Sequence, residues 1–140
     1  MCPSLCAVLL IASTVLGCSA AAPTPKRGKL AGKVTLDGKP VATGFIRLIA
    51  LDPNAVNVVA PVTNGEYSLA EGTGPAKGKY RVEFSVPSGT KTRTKNPDNE
   101  NEWLEEAAEA LPPRYHRDSK IILDYDPDNP QPFDQALTSR

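Results

Sequence analysis

Gly78-Lys79-Tyr80-Arg81-Val82-Glu83-Phe84-Ser85-Val86 decides the fold class. Tyr80, Val82, Phe84 and Val86 fall on one side of a period of two; Arg81, Glu83 and Ser85 fall on the other. Successive side chains of a strand point to opposite faces, so this is the pattern of a half-buried β-strand. The same alternation runs upstream, where Leu30, Gly32, Val34 and Leu36 interleave with Ala31, Lys33 and Thr35. Asp37-Gly38-Lys39-Pro40 then supplies turn chemistry. Thr43 to Leu51 is apolar on both faces except at Arg47, which predicts a strand covered on both sides or near a rim. Ala55 to Val62 is rich in Val and predicts a short strand, with Pro61 suited to an edge or an end. Asn64-Gly65 is a tight-turn dipeptide, and Glu66 to Leu69 leaves it with Tyr67 and Leu69 on one face. Ile121–Asp126 and Phe133–Thr138 predict the last two strands.

Two segments break the pattern. Pro87 to Asn101 reads as a long polar loop, and connections of that length are functional or mobile. Glu102 to Leu111 predicts one short helix, because Trp103, Leu104, Ala107, Ala108 and Leu111 share a face at helical spacing before Pro112-Pro113. Trp103 would then cover the edge of the core. The expectation is an all-β, seven-stranded sandwich with one short helical insert.

The N-terminal end speaks to location. Ala7 to Leu16 is an apolar run too short to span ~30 Å of hydrocarbon as a helix. It suits the core of a signal peptide, although no Lys or Arg precedes it. Val15-Leu16-Gly17-Cys18 at its end looks like a bacterial lipobox, in which the chain is cut before the cysteine and the cysteine sulfur carries lipid. The alternatives are ordinary cleavage after Ala20-Ala21-Ala22, or a cytosolic protein with an unusual start. The lipobox reading divides the chain into a signal peptide over 1–17, the lipidated Cys18 with a flexible linker over 18–29, and one domain over 30–140. It places the protein in a bacterial cell envelope, tethered to a membrane through Cys18. The linker is small, contains Pro23 and Pro25, and is expected to stay extended. About 110 residues remain for the domain, enough for one core.

Cys2, Cys6 and Cys18 are the only cysteines, so the mature domain holds neither a disulfide nor a thiolate metal site. The 16 basic and 16 acidic residues balance, whereas nucleic-acid binders show a net basic footprint, so that partner is not expected. The charge is nonetheless uneven: 26–39 and 77–95 are basic, 98–109 and 124–134 acidic. Solvated faces account for this, or docking between charged patches of neighbouring molecules.

Side chains with chemistry are sparse. His116, Asp118 and Ser119 are close in sequence, but a triad needs three side chains converging in space, and sequence neighbours on a loop rarely do so. One His without Cys cannot supply the usual zinc ligands. Asp124, Asp126 and Asp128 resemble the start of a calcium loop, but position 6 is Asn129 and position 12 is Gln135. No catalytic residue, metal site or cofactor is expected. The candidate contacts for a ligand or partner are the aromatics Trp103, Tyr115 and Tyr125, which could stack on a sugar or a protein surface.

Several stretches together resemble a known family. Gly32-Lys33-Val34-Thr35-Leu36-Asp37-Gly38-Lys39-Pro40-Val41 is similar to the opening of carboxypeptidase regulatory-like domains. Asn64-Gly65-Glu66-Tyr67-Ser68-Leu69 resembles the hairpin of that family, and Gly78-Lys79-Tyr80-Arg81-Val82 its following strand. Leu111-Pro112-Pro113-Arg114-Tyr115 and Phe133-Asp134 with Leu137 resemble its last segments. The resemblance spans Leu30 to Leu137 and implies a transthyretin-like (Ig-like) sandwich, of a kind abundant as small lipoproteins in planctomycete bacteria. It implies no catalytic activity. The combined expectation is a non-enzymatic envelope lipoprotein acting as a structural or binding module for an envelope protein. A carbohydrate-binding module for an envelope polysaccharide is the alternative. A hydrolase on the same scaffold is a third class, because a fold does not fix a function.

Overall fold

The strand pattern of the sequence becomes one curled, almost wholly antiparallel sheet and one separate two-stranded arm. The computed structural model describes residues 23–140. Cys18 and the expected signal peptide lie outside the described residues. The strands are β1 (Leu30–Leu36), β2 (Lys39–Pro40), β3 (Thr43–Ala50), β4 (Val58–Thr63), β5 (Glu66–Leu69), β6 (Gly78–Ser85), β7 (Pro87–Asn96), β8 (Asn99–Glu109), β9 (Ile121–Tyr125) and β10 (Gln135–Leu137). A single 3-10 turn covers Pro113–Tyr115. The sheet order is β10-β1-β5-β4-β3-β6-β9, with β2 pairing on β1 and only the β1–β10 pair parallel.

Turn chemistry fixes the register. Asp37 and Gly38 both have positive φ, as do Asn64 and Gly65. That is the backbone of the two-residue turn that suits strand twist, and only Gly and short polar residues adopt it readily. It pairs Leu36 with Lys39 at one turn and Thr63 with Glu66 at the other. Beyond that last pair β4 and β5 separate, and the sheet curls through this junction. Pro61 lies on the part of β4 that β5 leaves unpaired, where a missing N–H breaks no ladder bond.

The alternation then gathers one core. Leu30 and Val34 of β1, Ile46 and Leu48 of β3, Val58, Ala60 and Val62 of β4, and Tyr80, Val82 and Phe84 of β6 form one buried cluster with Leu137. Burying each large side chain contributes about 1.5–3 kcal/mol, so this inner face holds the fold together. Gly32 marks a close approach: a Cβ there would collide with the Phe133 carbonyl, at the segment leading into β10.

Three expectations change. The helix over 102–111 is instead strand β8, and the loop over 87–101 is chiefly strand β7. Locally Glu102 to Glu109 is helix-forming, but Thr90, Thr92 and Thr94 favour a strand and cross-strand charges favour pairing it with β8. Strand β3 is not covered on both sides, since Phe45 and Arg47 are exposed while Gly44, Ile46 and Leu48 are buried. The chain meets the sheet shortly before β1. Arg27 bridges Ala76, its guanidinium donates to the carbonyls of Gly74 and Thr73 at 2.7 and 2.8 Å, and Gly28 is buried.

Candidate functional site

The arm is the part of the molecule that the core does not need. From Pro87 to Ala107 every residue except Asn96 is exposed, on both faces of the ribbon. The turn at its tip is built by Pro97 and Asp98, with the Asp98 N–H donating to Asn96 Oδ1 at 2.9 Å and Asn96 paired with Asn99. Pro presets φ and Asn folds its own backbone, which is why the chain reverses there. The base is held by Glu109. Its carboxylate accepts from Val86 N at 2.6 Å and Ser85 Oγ at 2.7 Å, and Ala110 N donates to the Val86 carbonyl.

Register sorts the charges of the arm onto opposite faces. Lys91 pairs with Ala107, Arg93 with Glu105 and Lys95 with Trp103. These six side chains share one face. There Glu105 takes both Lys91 and Arg93 at 3.3 Å, and Lys95 lies 5.9 Å from the centre of the Trp103 ring. Thr92 pairs with Glu106 and Thr94 with Leu104, and Asn96 Nδ2 donates to Glu102 at 3.0 Å. The second face therefore carries Thr92, Thr94, Leu104 and two carboxylates, with no cation.

A second exposed surface lies on the outside of the sheet. Phe45 is 45% and Val59 55% exposed, and Pro61 is exposed beside them. The register sets Phe45 opposite Pro61 and Arg47 opposite Val59. On its other side Arg47 meets Glu83, whose carboxylate already accepts from Arg81 Nη2 at 2.7 Å. A shallow groove of about 540 Å³ runs farther along this face, where Lys33, Glu66 and Ser68 meet Pro132 and Asp134.

The three aromatics singled out in the sequence do not come together. Trp103 is 52% exposed on the arm, and so does not cover the core. Tyr115 is half-buried, stacked 4.8 Å from Arg114, with its hydroxyl beside Thr138 Oγ1 at 3.2 Å. The hydrogen bond with Thr138 and the neighbouring Arg114 guanidinium hold its phenol below the usual tyrosine range. Tyr125 is not the exposed contact its sequence suggests: it is 3% exposed, a core residue whose hydroxyl donates to the Lys29 carbonyl at 2.5 Å. Its position on the inward phase of β9 buries it, and burial raises its pKa.

The remaining chemistry is engaged locally. His116 Nε2 lies 3.1 Å from the Leu111 carbonyl, and Ser119 is buried with its hydroxyl on the Val82 carbonyl. They serve separate backbone groups. Asp126 accepts from Asp128 N at 3.0 Å and pairs with Lys77 at 3.1 Å, while Asp128 pairs with Lys26. Lysines thus occupy the acidic turn, and among the described residues no three His, Cys, Asp or Glu side chains group as metal ligands do.

Sequence alone marks Trp103, the segment 87–101 and the charge runs 77–95 and 98–109, but neither the two-stranded ribbon that carries them nor the sheet patch around Arg47. The strict alternation of Thr90, Thr92 and Thr94 with Lys91, Arg93 and Lys95 was the available signal. Comparison of the chain with protein-family models, curated proteins and solved structures gave no match.

Proposed function

We propose that this protein is a non-enzymatic, membrane-tethered module of a bacterial cell envelope that docks to its partner through the β7–β8 arm. The observation that carries the reading is the arm itself. A lone two-stranded ribbon is marginally stable in water, and its open edges and exposed faces invite pairing. Such a ribbon, rooted by Glu109 but otherwise uncovered, makes sense as an element stabilised by what it binds. The tether is the lipid expected on Cys18, with the curled sheet beginning where Arg27 is pinned to Ala76.

In this reading the curled sheet is a carboxypeptidase regulatory-like, transthyretin-like sandwich. Its support is the placement of the family-like stretches. Asp37-Gly38 and Asn64-Gly65 make the two tight turns, Gly78–Val82 lies in β6, and Leu137 closes the core. Carbohydrate binding is the second reading. Exposed Trp103 favours it, and burial of Tyr125 weakens it.

The test uses the full chain in a bacterial envelope. Residues 88–108 are replaced by a two-residue turn, and membranes are analysed by native electrophoresis and by intact mass of the mature N-terminus. The expected result is an acylated fragment beginning at Cys18 in both proteins, with a larger complex only where the arm is present. An unacylated N-terminus refutes the tether. A complex that survives loss of the arm refutes the docking role.

A further inference from the structure

We propose that the partner of the arm is a second copy of this chain, with the Leu104 face of one arm seated on the outer sheet face around Arg47 of the other. This rests on the reading of the arm as a docking element and names its occupant. The two surfaces match in shape class and in charge. The arm face offers Leu104 and the methyls of Thr92 and Thr94, flanked by Glu102 and Glu106. The sheet face offers Phe45, Val59 and Pro61 around a guanidinium. Arg47 makes no ion pair among the described residues: Glu83, opposite it on β6, pairs with Arg81, and Glu109, which lines a pocket with Arg47, binds Val86 and Ser85. Glu106 likewise has no cation beside it there. Bringing the two together gives Arg47 and Glu106 a direct ion pair that neither makes among the described residues, and covers apolar surface on both sides.

The alternatives for the arm are worse. Stacking like faces of two arms sets Lys91, Arg93 and Lys95 against themselves, or Glu102 and Glu106 against themselves. A polyanion on the cationic face would compete with Glu105, which already takes Lys91 and Arg93. Reach is sufficient: eleven residues of β8 at ~3.3 Å each exceed the width of several strands at ~4.8 Å spacing. Reciprocal exchange about a two-fold axis would use both arms and both sheet faces, giving a closed dimer and not a filament.

A photo-activatable residue placed at Leu104 of the full chain tests this, in membranes from cells making isotope-light and isotope-heavy copies. The expected product joins position 104 of one copy to a peptide within 43–63 of the other. Arg47→Glu or Glu106→Arg should each lower its yield at least about tenfold, since each sets like charges against one another. Combining the two reversals should recover it. Both positions are exposed, so circular dichroism should show the fold intact. Cross-linking to a different protein or to a glycan, no cross-link between copies, or single reversals without effect would each overturn the proposal. The two readings separate cleanly. If loss of the arm dissolves the complex while Leu104 cross-links elsewhere, only the second copy fails.

Discussion

At the scale of single residues, buried polar atoms are where this fold is most exposed to damage. Tyr80 is fully buried, and its hydroxyl donates to the Ala76 carbonyl and accepts from the Ala76 N–H, both at 3.0 Å. Burial raises its pKa, so it stays neutral and serves both roles. Tyr80→Phe would leave that donor and acceptor buried without partners, at a cost of about 1–3 kcal/mol in urea unfolding. An unchanged unfolding midpoint would show that water reaches Ala76. Asp37 and Asp126 give a second test. Hydrogen bonds from Ser139 hold Asp37 below the usual carboxylate range, and the Asp128 N–H with Lys77 does the same for Asp126. A depressed carboxylate contributes stability above its unfolded pKa and loses it as pH falls through the folded one. The Ser139 and Asp128 amides should therefore keep their native NMR shifts at mildly acidic pH and change only below the ordinary carboxylate range. A midpoint at an ordinary carboxylate pKa would contradict these contacts. Lys26 works in the opposite sense: Asp128 raises its pKa, so that contact persists below the unfolded value and fades as pH rises through the folded one.

At the scale of elements, the lesson lies in what periodicity can and cannot carry. Strands β1, β5 and β6 were legible because each buries one face, so the period of two appears directly in residue type. Asn64-Gly65 and Asp37-Gly38 were legible because positive φ narrows the choice of residue. Strand β8 was not, because neither of its faces is buried and apolar spacing then reflects no core. Trp103 and Leu104, adjacent in sequence, suggest one helical face but lie on opposite faces of the ribbon. Tyr125 was misplaced for a related reason: an aromatic beside acidic residues looks exposed, yet the phase of β9 turns it inward. The arm should also behave as a separate element. Glu109→Ala removes the carboxylate that ties its base to Val86 and Ser85. We expect arm amides to exchange at least several-fold faster, with the β3 and β6 amides unchanged, by hydrogen exchange and mass spectrometry. Equal acceleration of core and arm would mean that Glu109 supports the whole sheet.

At the scale of the whole molecule, the protein divides its labour between a self-sufficient core and surfaces left uncovered. The curled sheet closes on one cluster of apolar side chains, and the chain enters it at Arg27, tied to Gly74 and Thr73. The arm, the patch around Arg47 and the exposed Trp103 add nothing to that core. This division suits the binding module we propose, and the sequence does not display it, because an exposed surface has no period of its own. Hydrogen exchange of the full chain, compared between dilute detergent extract and intact envelope membranes, decides whether the arm is held by a partner. An arm that docks will exchange fast across 87–109 in the dilute extract and slowly there in membranes, with β3 and β6 slow in both. Arm amides as protected as β6 in the dilute chain would contradict such docking, by showing a ribbon that is stable without a partner.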